Sequence, residues 1–165
     1  MKTLSATIVL AFVASAPALA GGPASKAPAK GEAISLSPSE IKWGDAPPTF
    51  PKGAQMSVLH GDPSKKEVYT LRFKAPAGYK IPPHWHSKDE QLTILSGTFV
   101  LHMGDTMDAP AHELGPGSYH FLPAKMHHAA EAKGETIIQV DGMGPFDINY
   151  LNPADVPNKS AALTK

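Results

Sequence analysis

The run Gly78-Tyr-Lys-Ile-Pro-Pro-His84-Trp-His86-Ser-Lys-Asp-Glu90-Gln-Leu-Thr-Ile-Leu-Ser-Gly97 places two histidines and a carboxylate close together, between two glycines and just after a proline pair. In an extended strand, side chains alternate faces with a rise of about 3.3 Å per residue, so His84 and His86 project to one side and Trp85 to the other. Two imidazoles then reach one ion. Ser87, Lys88 and Asp89 are turn-forming residues, which lets Glu90 open a following strand with its carboxylate beside the pair and with Leu92 and Ile94 on the same face. Two neutral nitrogens and one anionic oxygen suit a divalent first-row metal.

The flanking sequence reads as strands. Glu67 to Phe73 alternates, with Tyr69, Leu71 and Phe73 on one face; Glu90 to Leu95 and Thr98 to Met103 flank a Ser96-Gly97 hairpin; Thr136 to Val140 and Phe146 to Leu151 follow. Short strands at this spacing predict an all-β barrel or sandwich. Ahead of them, Ser37-Pro-Ser-Glu40 predicts one short helical turn, and Trp43, Phe50 and Val58 punctuate a Pro/Gly-rich segment expected to pack across the barrel.

A second histidine-bearing element, Gly117-Ser-Tyr-His-Phe-Leu-Pro123-Ala-Lys-Met-His127-His128, lies downstream. The first run has the cupin pattern Gly-x5-His-x-His-x3-Glu-x6-Gly without departure. The second resembles the cupin pattern Gly-x5-Pro-x-Gly-x2-His-x3-Asn, with Gly117, Pro123 and His128 in register. It departs at Lys125, where the family usually has glycine, and at Ala132, where it usually has asparagine. The resemblance implies a double-stranded β-helix (jelly-roll) barrel holding one divalent ion on His84, His86, Glu90 and His128. Adjacent strand residues point to opposite faces, so His127 is expected outside that ligand set.

The 165 residues correspond to one domain by length. Met1 to Ala20 reads as a secretory leader: Lys2 supplies the positive start, Leu4 to Ala14 the apolar run, and Ala18-Leu19-Ala20 a small-residue cleavage site. The apolar run is too short for a membrane span. Residues 21–33, rich in Gly, Pro, Ala and Lys, are expected to form a flexible tether, 34–157 the cupin domain and 158–165 a tail. The expected location is periplasmic or secreted. The leader contains no arginine, which excludes a twin-arginine route, so the site would be filled outside the cytoplasm. There are no cysteines, so disulfides, thiol chemistry and lipid attachment at cysteine are excluded. The charge is balanced, 15 basic against 15 acidic residues, and Arg72 is the single arginine. Nucleic acid and membrane anchoring are therefore not expected.

Iron, manganese, zinc and copper(II) all suit the donor set, and the absence of a thiolate weakens any preference for Cu(I). Three histidines and a glutamate leave one or two positions of an octahedral ion for water, dioxygen or a chelating small-molecule substrate. Cupins resembling this chain include dioxygenases, decarboxylases, isomerases and lyases as well as non-catalytic binding domains. The leading expectation is a dioxygenase-like enzyme; the alternative is a non-catalytic periplasmic ligand- or metal-binding module. Residues Asp105 to Glu113 read as an irregular polar loop, with His112 and Glu113 solvated in preference to ligand-binding. No role is read for His120. The methionines lack a Met-x-x-Met repeat and read as filler. The strip Trp43, Phe50 and Val58 could cover a barrel edge within one chain or between two, which leaves a homodimer open.

Overall fold

Alternation of apolar and polar residues drives the architecture. Along Val68–Ala75 the side chains of Tyr69, Leu71, Phe73 and Ala75 are buried while Thr70, Arg72 and Lys74 face away, the two-residue period of a strand with one face on a core. The computed structural model describes residues 33–157. The leader, all but the last residue of the tether, and the tail lie outside the described residues.

In chain order the strands are β1 (Gly44–Asp45), β2 (Gln55–His60), β3 (Val68–Ala75), β4 (Lys80–Trp85), β5 (Glu90–Ser96), β6 (Phe99–Met103), β7 (Ala111–Leu114), β8 (Tyr119–Leu122), β9 (His128–Ala132), β10 (Thr136–Met143) and β11 (Asn149–Tyr150). They form two antiparallel sheets, ordered β1-β2-β3-β10-β5-β8 and β11-β4-β9-β6-β7. The inner faces close on one apolar core that includes Leu71, Phe73, Ile94, Leu101, Leu122 and Ile138. This is the expected jelly-roll. Among the described residues no helix is long and apolar enough to cross a membrane.

The predicted turn at Ser37 is present as a single 3-10 turn, Pro38–Glu40. The Glu40 carboxylate accepts from the Ser37 amide at 2.8 Å and from the Ser37 hydroxyl at 2.6 Å. Phe50 reaches into the core, with ring centroids 5.2 Å from Phe73 and 6.1 Å from Phe146. Trp43 stays on the outside, beneath Lys74 Nζ at 4.5 Å from its ring centroid. Two expectations are corrected. Residues 105–113 are not wholly irregular, because Ala111–Leu114 pairs with Phe99–His102 as an edge strand. The predicted Phe146–Leu151 strand shrinks to Asn149–Tyr150, because the residues before it turn inward toward the histidines.

The bracketing glycines earn their positions through backbone conformation. Gly78, Gly97 and Gly117 have φ of 75°, 78° and 84°, in the left-handed region that L residues with a Cβ populate poorly. Lys125 has φ of 65°, which explains why cupins prefer glycine at that position. Its amide donates to the His86 carbonyl at 2.8 Å, so the strained turn joins the two motifs.

A Cβ at Gly97 would lie 2.4 Å from the Glu135 carbonyl oxygen, whereas at Gly78 and Gly117 nothing lies within 4 Å. Gly97→Ala should therefore destabilise more than Gly78→Ala or Gly117→Ala, which carry only the backbone penalty of about 1–2 kcal/mol. Lys125→Gly should be neutral or stabilising, as relief of that strain offsets added unfolded-state freedom. Urea unfolding midpoints check the ranking.

Candidate metal centre

Pairing of β4 with β9 builds the centre. His84 stands directly opposite His128 in the ladder, after a register shift between Ile81 and His84. Pro82 and Pro83 cause the irregularity, since neither has an amide to donate. The freed Pro82 carbonyl turns to His84 Nδ1 at 2.7 Å. His86 lies just beyond β4, and Glu90 begins β5, paired to Leu122. Ring centroids separate His84 and His86 by 4.9 Å, His84 and His128 by 4.1 Å, and His86 and His128 by 5.3 Å. One ring nitrogen from each of the three lies within 4.8 Å of the other two. Such a cluster could hold a metal ion. Glu90 Oε2 stands 3.5 Å from His86 Nε2 and 3.9 Å from His128 Nε2. All four side chains are buried.

Each imidazole has its Nδ1 committed to a backbone carbonyl: His84 to Pro82, His128 to Met126 at 3.1 Å, and His86 to Asp147. A carbonyl only accepts, so each Nδ1 carries a proton, and in the neutral imidazole the bare lone pair is the one on Nε2. Two of those lone pairs face a carboxylate oxygen. Lone pairs and an anion converging in a buried site repel one another unless a cation sits among them. The donor set therefore fits a divalent ion, and the carbonyl partners orient the imidazoles as outer groups do at metal sites. Burial pushes the His84 imidazole well below its ordinary value, with His128 and His86 adding to the effect. Burial also lowers His128, against the opposing pull of Glu90. Neutral imidazole is the form a metal requires.

The segment joining β10 to β11 braces the cluster. Phe146 stacks on His86 at 5.2 Å and 22°. The Asp147 carboxylate accepts from the Ser87 amide at 2.7 Å and from the Ser87 hydroxyl. Burial would raise the Asp147 carboxyl, but these hydrogen bonds outweigh it and hold the group below its usual range. Tyr150 pairs with His84 across the ladder, with ring centroids 6.0 Å apart. Sequence reasoning missed Phe146, Asp147 and Tyr150. They lie sixty or more residues from the partners they touch, His84 and His86, and no local pattern signals the contact. Inward of the histidines lies a cavity of about 30 Å³ with walls that include Met56, Leu71, Phe73, Leu101 and Ile138.

His127 turns away, its Nδ1 2.7 Å from Asp105 Oδ1 at the surface. Arg72 sits on the outer sheet face with Nε 3.5 Å from Gln139 Oε1. His112 and His120 are apart from the cluster but near each other, with ring centroids 5.8 Å apart.

No curated protein matches the chain in sequence. Among solved structures, the polyketide cyclase RemF from Streptomyces resistomycificus is similar with a TM-score of 0.61 at 17% identity, over 81% of this chain and 95% of that one. An acetylacetone dioxygenase from Acinetobacter johnsonii gives 0.59 at 18% identity, over 81% and 87%. An RmlC-like cupin from Shewanella frigidimarina NCIMB 400 gives 0.54 at 16% identity, over 68% and 90%. At these identities the likeness fixes the fold alone. The family model described as Domain of unknown function (DUF4437) matches residues 15–149. The chain therefore belongs to that family, and its jelly-roll is the cupin fold.

Proposed function

We propose that the protein is an exported, mononuclear metal-dependent cupin acting on a small organic molecule, with dioxygenase-like chemistry the leading reading. The observation that carries it is the set of three Nδ1–carbonyl hydrogen bonds, which leaves three Nε2 lone pairs converging beside Glu90. In this reading His84, His86, His128 and Glu90 hold one ion, iron, manganese, zinc or copper(II). That ion, when bound, supplies Lewis acidity toward a chelating oxygen ligand and, if redox-active, reactivity with dioxygen. Glu90 contributes the one negative charge of the set. The apolar walls exclude bulk water from the ligand positions, and Phe146 limits the tilt of His86. The acetylacetone dioxygenase likeness supports small chelating carbonyl compounds as the substrate class.

A second reading, metal or ligand binding without turnover, draws on a different observation: among the described residues, no titratable side chain apart from the four proposed ligands lines the cavity. Oxygen uptake by iron-reconstituted protein with a panel of β-diketones and hydroxyacetophenones separates the two. Turnover supports the enzyme, and tight metal retention with no uptake supports the binding module.

His128→Ala should lower metal affinity at least about tenfold, the order seen even for loss of outer groups. His127→Ala should leave it near wild type. Elemental analysis after dialysis reads both, and equal occupancy in the His128 variant and wild type would remove the ligand assignment.

Chelation should lower the melting temperature by the linkage RT ln(1 + [L]/Kd), while the far-ultraviolet β signal persists because the apolar core remains. Metal-free protein should also be acid-sensitive. His84 and His128 have folded-state pKa values below the ordinary 6.5, so the unfolded chain takes up protons that the fold resists. Stability is then fully present above about pH 6.5 and declines as the pH falls from there toward the folded-state values. Urea midpoints across that range test the slope, and a flat profile would contradict it.

Export rests on the leader residues. N-terminal sequencing of protein recovered from an expressing bacterium should give a mature start near Gly21 in the envelope fraction, and an intact Met1 start in the cytosol would remove that reading.

A further inference from the structure

Strands β7 and β8 are the last strands of the two sheets, so they face each other across a seam with no ladder between them. They are joined only by Gly115-Pro116-Gly117-Ser118. Directly opposed residues in an antiparallel pair share a face. His112 is opposed to Leu101 and His120 to Leu92, and both leucines point into the core. The two histidines therefore project toward the seam from its opposite walls. Their ring centroids stand 5.8 Å apart at 40°, only slightly wider than the 4.1 to 5.3 Å separations within the His84, His86 and His128 cluster. Among the described residues, neither ring makes a hydrogen bond, so all four nitrogens are uncommitted. Both sit on strands, which fix their backbones more firmly than a loop would.

We infer that His112 and His120 form a second metal site, a two-histidine clamp for a borderline divalent ion such as Cu²⁺, Ni²⁺ or Zn²⁺, with water completing the coordination. Imidazole donors select those ions over Mg²⁺ and Ca²⁺. Burial and the neighbouring His112 lower the His120 imidazole from its ordinary value, which favours the neutral, ligating form. The site is distinct from the first centre: the Leu92–His120 pair lies two residues down the ladder from Glu90–Leu122, roughly 7 Å along the strand. Its consequence is mechanical. An ion there bridges sheet edges that no backbone hydrogen bond joins. Lacking the carbonyl partners of the first centre, it should bind about ten- to a hundredfold more weakly.

The test is titration of the full metal-free chain with Cu²⁺ alone, followed by equilibrium dialysis and elemental analysis. Two ions per chain are expected, with the weaker one lost in His112→Gln/His120→Gln and the tighter one retained. His128→Ala should do the reverse, so the two sites fail independently. Circular dichroism of the double variant should match wild type, because His112 is exposed and the substitutions are polar. A single equivalent in wild type, or a second equivalent that survives the double substitution, would overturn the inference.

Discussion

The pairing of β4 with β9 is the constraint on which the centre depends. It sets His84 opposite His128, two residues separated by more than forty positions, and the proline pair distorts it just enough to free a carbonyl for His84 Nδ1. An uninterrupted ladder would use that carbonyl between strands. The ring would then lose the partner that fixes its tautomer. The second motif reaches back in the same way, since the strained turn at Lys125 donates its amide to the His86 carbonyl. Backbone geometry that costs energy locally is retained where it holds the histidine cluster in place.

Burial then gives the cluster its chemistry. Three imidazoles and a carboxylate removed from water are costly unless their polar atoms are matched. Half of the matching is internal, through the Nδ1–carbonyl bonds; the Nε2 lone pairs and the Glu90 oxygens are left to one another. The same low-dielectric surroundings that depress His84 and His128 would strengthen the attraction of the set for a cation. The brace formed by Phe146, Asp147 and Tyr150 adds stiffness from a distant part of the chain. A ring stacked on His86 and a carboxylate fastened to Ser87 leave the loop between β4 and β5 little freedom.

The seam between β7 and β8 shows the same strand logic without that support. His112 was expected to be solvated, and its exposure agrees, but the edge strand beneath it turns it toward His120. No residue near either one in sequence indicates the other. Closure of two sheets into a jelly-roll makes them neighbours.

What the sequence determined by itself was the local part: strand alternation that puts His84 and His86 on one side, glycines where φ must be positive, and the spacing that identifies the cupin motifs around Glu90 and His128. Those features depend on neighbours a few residues apart, so they can be read along the chain. It also pointed His127 away from the cluster, where it meets Asp105. The sequence was silent on the Pro82, Met126 and Asp147 carbonyls, on Phe146 against His86, and on the meeting of His112 with His120. The first two carbonyls lie only two residues from their histidines, yet they become acceptors only because the bulge in β4 and the turn before β9 release them from strand pairing. The contacts of Asp147 and Phe146 with His86 span distant segments, and although His112 and His120 lie close in sequence, all of these partners are chosen by sheet order and register, which follow from burying the whole apolar face at once.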